Sequence, residues 1–247
     1  MGALGEAELT LLLRNRTAFL LALLMPVAMV GLSWSSSREW ELDGTGLSRG
    51  EAVLTGGIGL VLVLVVYQGL IPVYVARREE RVLKRLRTGE LTDAEILAGS
   101  ALPSAALALA QCVVLVAAGA ALLDVRAPAA APLLVAGTVL GVVLLAALAA
   151  ATAALTRTVE SAQVTGMPLL MASVLGSGLF VPLAVLPDRV ADACRMLPLT
   201  PVVELVTGGW LGGLNAAEAG RALALGMAWT AVAVFAVRRR FRWEPRA

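Results

Sequence analysis

One charged segment, residues 77–99, lies between two long apolar runs, and its residue types suit mechanical work on a partner better than catalysis. Its first half predicts an amphipathic helix, because four apolar residues recur at helical spacing: Val75, Val82, Leu83 and Leu86. Glu80 and Lys84 lie four residues apart on that helix, where opposite charges can pair. We interpret the segment as a handle that lies outside the membrane.

The second half of this segment predicts a second helix that begins immediately. Gly89 ends the first helix, since glycine tolerates the left-handed turn that often follows one. Thr92 and Glu95 have the spacing of a capping box, and Leu91 and Ile96 have that of a hydrophobic staple. Two rigid helices that meet at a sharp corner favour a surface that pushes on a partner or is pushed by it. A plain solvated loop is the alternative.

The residue types that carry most enzymatic chemistry are missing. There is no histidine, which excludes histidine-dependent triads, zinc sites of the HExxH kind and histidine proton relays. Glu79 and Glu80 suggest an intramembrane glutamate protease, but the pair falls outside the apolar runs and has no histidine to complete it. A P-loop needs Gly-Lys followed by Ser or Thr, and the only lysine, Lys84, follows Leu83. Any energy from ATP must therefore come through another chain.

The composition places the chain in a membrane. Hydrophobic residues make up 59% of the 247 positions and charged residues 15%, against about a quarter in soluble domains. The mean hydropathy is +0.84. Cys112 and Cys194 lie in different environments without metal or redox spacing, so we interpret both as structural.

The predicted fold class is an all-α, polytopic membrane protein with six transmembrane helices. A helix needs about 20 apolar residues to cross a bilayer core. The runs of about this length are residues 17–34, 52–76, 101–123, 131–155, 161–186 and 216–237. The fifth is the least regular, since Pro168, residues 176–178 and Pro182 break it. An interfacial helix at 1–16 precedes the first span. A secretory signal peptide is the competing interpretation of that first span. Residues 187–215 predict short external helices or a re-entrant hairpin.

Local signals mark where two of these helices begin and where one bends. Ser48 and Glu51 form a capping box before the second span. Asn215 and Glu218 cap the last span in the same way. Pro72 is expected to bend the second span near its exit from the membrane.

Few polar residues lie inside the predicted spans, and the middles of the first four contain no ionisable residue. That argues against a proton-coupled or sodium-coupled transporter. Tyr67, Gln68 and Gln111 are candidates for a substrate path, although helix packing explains them equally well. Gly137 and Gly141 have GxxxG spacing, which lets helices approach closely.

The distribution of basic residues sets the orientation. With six spans, 14 of the 20 Lys and Arg residues fall on the side that holds both termini. Positively charged loops stay in the cytoplasm. Both termini and residues 77–99 are therefore predicted to be cytoplasmic, and the basic clusters need no nucleic acid to explain them.

Three stretches resemble the membrane subunit of bacterial type-2 ABC exporters, the class that includes daunorubicin-type drug export permeases and polysaccharide exporters. They are the interfacial helix running into the first span, residues 78–99, and residues 177–210. Within the last stretch the family pattern is matched by Ser177, Gly178, Phe180, Pro182, Leu186, Pro187, Leu197, Pro198, Leu199, Thr200 and Glu204. The sequence departs from the pattern at Pro201 and at Thr207-Gly208.

The resemblance implies a dimer of identical or different six-span subunits in a bacterial plasma membrane, with an ATP-binding subunit docked under each. ATP and Mg would bind to that partner, and this chain would bind no cofactor. The cargo would be a hydrophobic drug, natural product or lipid, and efflux of that kind can confer antibiotic resistance.

The resemblance also implies roles for particular residues. Residues 77–89 would be the coupling helix that contacts the ATPase. Its contact residues would be Glu79, Glu80, Arg81, Val82, Leu83, Lys84, Arg85 and Leu86. Phe180, Pro182, Pro198 and Glu204 would belong to an outer gate, with a hydrogen bond to local backbone as the simpler explanation of Glu204.

Two other functions fit the sequence. A secondary transporter or channel would move its substrate without an ATPase. A membrane scaffold would use residues 77–99 for static docking, and its activity would not respond to ATP.

Overall fold

The computed structural model describes residues 24, 28, 31, 34, 48–80, 92–122, 125–179, 183 and 186–240. Over these residues the regular structure is helical, with no strand, which confirms the all-α class. The helices are α1 (Arg49–Glu79), α2 (Asp93–Leu122), α3 (Ala131–Leu155), α4 (Val159–Gly176), α5 (Asp188–Arg195), α6 (Thr200–Leu211) and α7 (Ala216–Arg240). The interfacial helix predicted at 1–16 and most of the first span lie outside the described residues.

Helix α1 begins at the predicted capping box. The Ser48 N–H donates to the Glu51 carboxylate at 2.8 Å, and the Glu51 N–H donates to the Ser48 hydroxyl at 3.3 Å. The middle of α1, Leu62–Gln68, is π-helical, a feature that the sequence analysis did not predict. These wider turns immediately precede the stretch that contains Pro72, whose ring cannot donate to the carbonyl four residues earlier.

Helix α2 also begins at a predicted capping box, in which the Thr92 N–H donates to the Glu95 carboxylate at 2.8 Å. The helix then continues without a break for 30 residues, about 45 Å at 1.5 Å per residue. The second helix of the charged segment and the third predicted span are therefore one continuous helix, which contains Pro103. A force applied at Thr92 acts directly on a membrane span.

Helix α3 has the predicted bounds and lies at the centre of the bundle, against α1, α6 and α7. Its two glycines permit this packing. A Cβ at Gly137 would lie 2.8 Å from the Cβ of Leu205 on α6. A Cβ at Gly141 would lie 2.8 Å from side-chain atoms of Leu62 and Val202. The close approach predicted from the GxxxG spacing is confirmed, and it occurs within one subunit.

Helix α4 continues through Pro168, so the predicted break at that residue is wrong. Proline is tolerated inside membrane helices because neighbouring helices and hydroxyl side chains satisfy the freed backbone groups. The helix does end at Gly176, where the predicted Gly-Ser-Gly break begins, and Gly178 has a φ of +80°. Helices α5 and α6 confirm that residues 187–215 form short helices.

Helix α7 begins at the third predicted capping box, in which the Glu218 N–H donates to Asn215 Oδ1 at 2.9 Å. Four described helices, α1, α2, α3 and α7, are long and apolar enough to cross a membrane. Helix α4, with 18 residues, is shorter than these four. Helix α1 is the most enclosed of the four, whereas smaller shares of α2 and α7 are buried.

Candidate functional site

The polar side chains of α1 are concentrated in its second half and reach three neighbouring helices. Tyr67, Gln68, Tyr74, Arg77 and Arg78 each form a hydrogen bond with α2, α3 or α4, or with the turn after α3. We call this end of the bundle the Arg78 end; it contains the last turns of α1 and α3 and the first turns of α2 and α4. We call these five residues the hub, because their hydrogen bonds connect α1 to α2, α3 and α4.

Arg78 forms the strongest of these connections. Its side chain is 1% exposed. One guanidinium nitrogen donates to the Ala153 carbonyl at 3.0 Å, and the other donates to the Thr156 carbonyl at 2.7 Å and the Arg157 carbonyl at 3.2 Å. The arginine therefore binds the C-terminal end of α3.

The physical reason for this arrangement lies in both partners. The last carbonyls of a helix have no intrahelical donor, and they carry the negative end of the helix dipole. A guanidinium offers several N–H donors in one plane and keeps its charge, so it can satisfy more than one carbonyl at once. A buried charge is costly unless it is hydrogen bonded, and these carbonyls provide the bonds.

Two further contacts connect the end of α1 to the start of α2. The Tyr74 hydroxyl donates to the Leu97 carbonyl at 3.2 Å. Arg77 donates to the Ser100 hydroxyl at 2.9 Å, and that hydroxyl donates to the Ile96 carbonyl at 2.9 Å. Because α2 is a continuous helix, these bonds connect the last turns of α1 to the third predicted span.

The π-helical stretch of α1 contributes the contacts nearer the middle of the bundle. The hydroxyls of Tyr67 and Thr152 are hydrogen bonded at 3.1 Å, and Tyr67 also lies 3.4 Å from the Gly166 carbonyl. The Gln68 amide donates to the Gln163 side chain at 2.7 Å. These bonds join α1 to α3 and α4.

The candidate substrate-path residues are thus placed by helix packing. Tyr67 is 1% exposed and Gln111 is 2% exposed, both inside this subunit. Gln68 is partly buried against α4. The contacts of Tyr67 and Gln68 agree with the packing explanation, and a substrate-path role for the three stays a prediction.

A second polar site lies at the other end of α3, where α6 packs against α7. The Glu204 carboxylate on α6 accepts from the Arg221 guanidinium on α7 at 3.4 Å. Burial raises the pKa of Glu204 above its ordinary value, and the charges of Arg221 and Arg195 partly oppose that rise. The structure thus gives Glu204 an ion-pair partner on another helix rather than a local backbone partner.

Of the other three predicted gate residues, the structure describes one, Pro198. Pro198 is buried in the turn between α5 and α6. In the same turn the Met196 carbonyl accepts from the Trp229 indole of α7 at 3.0 Å. Phe180 and Pro182 lie outside the described residues. An outer gate formed by these residues stays a prediction.

Within the described part of the chain, no cluster of carboxylates and cysteines is arranged to hold a metal ion. Cys112 is buried in α2 and Cys194 is partly exposed on α5, and both are free thiols.

A comparison of the sequence with models of protein families identifies its family. Residues 1–211 match the family described as ABC-2 type transporter. The chain belongs to this family. It is therefore the transmembrane permease component of such a transporter and a multi-pass membrane protein. Permeases of this family normally work with an ATP-binding subunit. A comparison with curated proteins finds no match.

In this ABC-2 permease, the predicted coupling residues follow directly on the hub. Glu79 and Glu80, the first of them, are exposed at the end of α1. The remaining ones, Arg81, Val82, Leu83, Lys84, Arg85 and Leu86, lie outside the described residues. The segment is therefore joined at residue 80 to the Arg78 end and at residue 92 to the long helix α2.

Arg78 is the buried, hydrogen-bonded residue of this end that the sequence analysis did not single out. The signal was available, since Val75, Arg78 and Val82 follow the spacing of the apolar stripe, and a charge on that stripe must be buried or paired. The spacing could not show which groups pair with Arg78, because the α3 carbonyls lie 75 residues or more further along the chain.

Proposed function

We propose that this ABC-2 permease is the membrane subunit of an ATP-driven exporter, and that residues 77–89 form the helix that couples it to a separate ATP-binding subunit. The observation that carries the proposal is the position of Arg78. It is buried and bonded to the end of α3, and the exposed Glu79 and Glu80 follow it immediately. A displacement of the segment by a partner would act on this connection first.

The segment has the composition of a docking helix. Its apolar residues, Val82, Leu83 and Leu86, would enter a groove of the ATPase. Its charged residues, Glu79, Glu80, Arg81, Lys84 and Arg85, would set the register by charge complementarity. This assignment of roles rests on the sequence pattern and on where the segment is attached.

The hub gives this docking a route into the membrane. Closure of the ATPase on ATP would displace the segment, and Arg78 would carry the displacement to α3 while Tyr74 and Arg77 carry it to α2. Helix α3 packs along α6 at its other end, where a Cβ at Gly137 would contact Leu205. Rigid helices moving in this way would open the site around Glu204 as part of alternating access.

The expected cargo is a hydrophobic drug, natural product or lipid, carried by a dimer of permease subunits in a bacterial plasma membrane with both termini in the cytoplasm. One exposed face of α4 is available to a second subunit. It is formed by four apolar side chains at helical spacing, Val164, Met167, Met171 and Leu175. Apolar walls between two such subunits would suit apolar cargo.

The test measures the ATPase rate of a candidate ATP-binding subunit in lipid, with and without the permease. The double variant Leu83→Asp/Leu86→Asp places two charges on the apolar stripe of the coupling segment. The matched control, Val190→Asp/Met196→Asp, places two charges on exposed residues at the other end of the bundle. We expect the first variant to abolish co-purification with the ATPase and the control to retain it.

Unchanged co-purification of the Leu83→Asp/Leu86→Asp variant would refute the docking assignment. Transport by the reconstituted permease alone would instead favour a secondary transporter. Stable association with an ATPase whose rate never responds to the permease would favour a scaffold.

A further inference from the structure

A cavity of about 740 Å³ lies between α2, α3 and α7 at the Arg78 end of the bundle. This volume is in the range of ligand sites, which is about 300–1,000 Å³. Small apolar residues form its walls, because alanines of two helices face each other across it. The wall residues include Ala98, Ala101 and Ala105 of α2, Ala146 and Ala150 of α3, and Val237 of α7.

The cavity opens onto the outer apolar surface of the bundle. Leu102, Val143 and Val234 line it and are also 39%, 51% and 39% exposed. These residues belong to span helices, whose exposed apolar faces meet lipid hydrocarbon in a membrane. The molecule that reaches this opening is therefore a lipid chain rather than a solute in water.

The length of the cavity matches one leaflet. Along α3 its lining runs from Val142 to Ala150, which is about 12 Å at 1.5 Å per residue. Along α2 it runs from Ala94 to Ala105, about 16 Å. Half of a bilayer core is about 15 Å thick. An acyl chain entering from the Arg78 side has the right length to fill it.

The polar residues of the cavity lie at the ends of α2 and α7. Arg238, which follows Val237, has no hydrogen-bond or ion-pair partner within the described residues. Asp93 and Thr92 lie at the start of α2, and both already interact with other groups. The next arginine, Arg239, lies over the Phe235 ring at 4.7 Å. A guanidinium at the end of an apolar cavity complements a lipid phosphate.

We propose that this cavity binds one acyl chain of a phospholipid whose phosphate pairs with Arg238. The binding is independent of ATP and of the proposed coupling to an ATPase. It would fill the gap between α2 and α7 beside the hub, where Tyr74 forms part of the wall.

The test counts lipids retained by the purified permease in mild detergent, using native mass spectrometry. The probes are phosphatidylglycerol and diacylglycerol with the same acyl chains. We expect one phosphatidylglycerol per chain, retained about tenfold better than diacylglycerol, since only the former carries a phosphate. Arg238→Gln should remove this preference. The control Arg239→Gln should leave it intact, because Arg239 does not line the cavity.

A second pair of variants tests the acyl-chain site without touching the charge. Ala98→Phe fills the cavity from an exposed position on α2, so it should reduce retention of both lipids. Val113→Phe adds a ring to the same helix at a site 68% exposed and outside the cavity, and should leave retention unchanged.

Equal retention of the two lipids by the unmodified protein would overturn the phosphate contact. An equal loss for Arg238→Gln and Arg239→Gln would assign the effect to general surface charge and would also overturn it. Unchanged retention in Ala98→Phe would overturn the cavity as the site. No ATPase enters these measurements, so their failure is separate from a failure of the proposed function.

Discussion

Replacing Arg78 by Met is the sharpest test of the hub, because methionine keeps most of the length of the side chain and removes every donor. A hydrogen bond to a charged group contributes about 1.5–3 kcal/mol to stability. Counting only the bonds of 3.0 Å to Ala153 and 2.7 Å to Thr156, at the lower value, gives a loss of about 3 kcal/mol. For a chain of this size that corresponds to a fall of about 6–12 °C in the unfolding midpoint.

The assay is thermal unfolding of the purified permease in detergent, with Arg77→Met as the matched control. Arg77 is only partly buried, and its contact with Ser100 joins two side chains. We expect the control to lose about 1.5 kcal/mol, about half the loss expected for Arg78→Met, since the bond to Ser100 is one bond to a charged group. Arg78→Lys should fall between the two, because an ammonium keeps the charge but lacks the planar fork. Equal losses for Arg77→Met and Arg78→Met would refute the capping of α3 by Arg78.

The same variant separates a structural role from a coupling role. With an ATPase partner present, and below the unfolding temperature of every variant, we expect Arg78→Met to bind the partner normally. Its transport per ATP hydrolysed should fall severalfold, because the route from the coupling segment to α3 is broken. If transport and ATPase activity fall in the same proportion, Arg78 only stabilises the fold.

Two further predictions concern the rest of the bundle. Gly137→Ala should destabilise the protein by about 1–3 kcal/mol, since its Cβ would meet Leu205 at 2.8 Å. Gly220→Ala should instead stabilise the protein by up to about 1 kcal/mol, because Gly220 lies on a helix and no atom lies within 4 Å of the added Cβ. Thermal unfolding of the two variants measures both changes, and changes of the same sign would contradict the packing at Gly137. Because the pKa of Glu204 is raised in the folded protein, protonation of this carboxylate contributes to the free energy of unfolding. The contribution is fully present below the ordinary pKa of 4.5 and is lost as the pH rises through the folded-state pKa. Unfolding midpoints across pH should therefore show the unmodified protein losing stability relative to Glu204→Gln as pH increases; the opposite trend would mean that the Arg221 pair outweighs burial.

The local features of the fold follow from neighbouring residues in the sequence. The capping boxes that begin with Ser48, Thr92 and Asn215 all form as predicted, because each is closed by bonds between residues three apart. The bounds of α3 match the predicted run, since an apolar, uncharged stretch of that length must satisfy its backbone hydrogen bonds internally in a membrane, and a helix does so. The end of α4 at Gly176 coincides with the predicted break at residues 176–178, where Gly178 has a φ of +80°.

The outcome at the other predicted features depended on neighbouring helices. Pro168 does not end α4, and the π-helical turns of Leu62–Gln68 have no signature that the sequence analysis recognised. The packing partners of Gly141 became visible only when Leu62 and Val202 were in place beside it. For Gly141 the deciding contacts join residues from three different helices.

Arg78 shows most clearly what each level decided. Helical spacing placed it on an apolar stripe, and elementary electrostatics required that a charge there be paired or costly. Only the tertiary structure showed that the pair is the end of α3. Open carbonyls at the end of a helix are a property of the backbone, and no residue type announces them in a sequence.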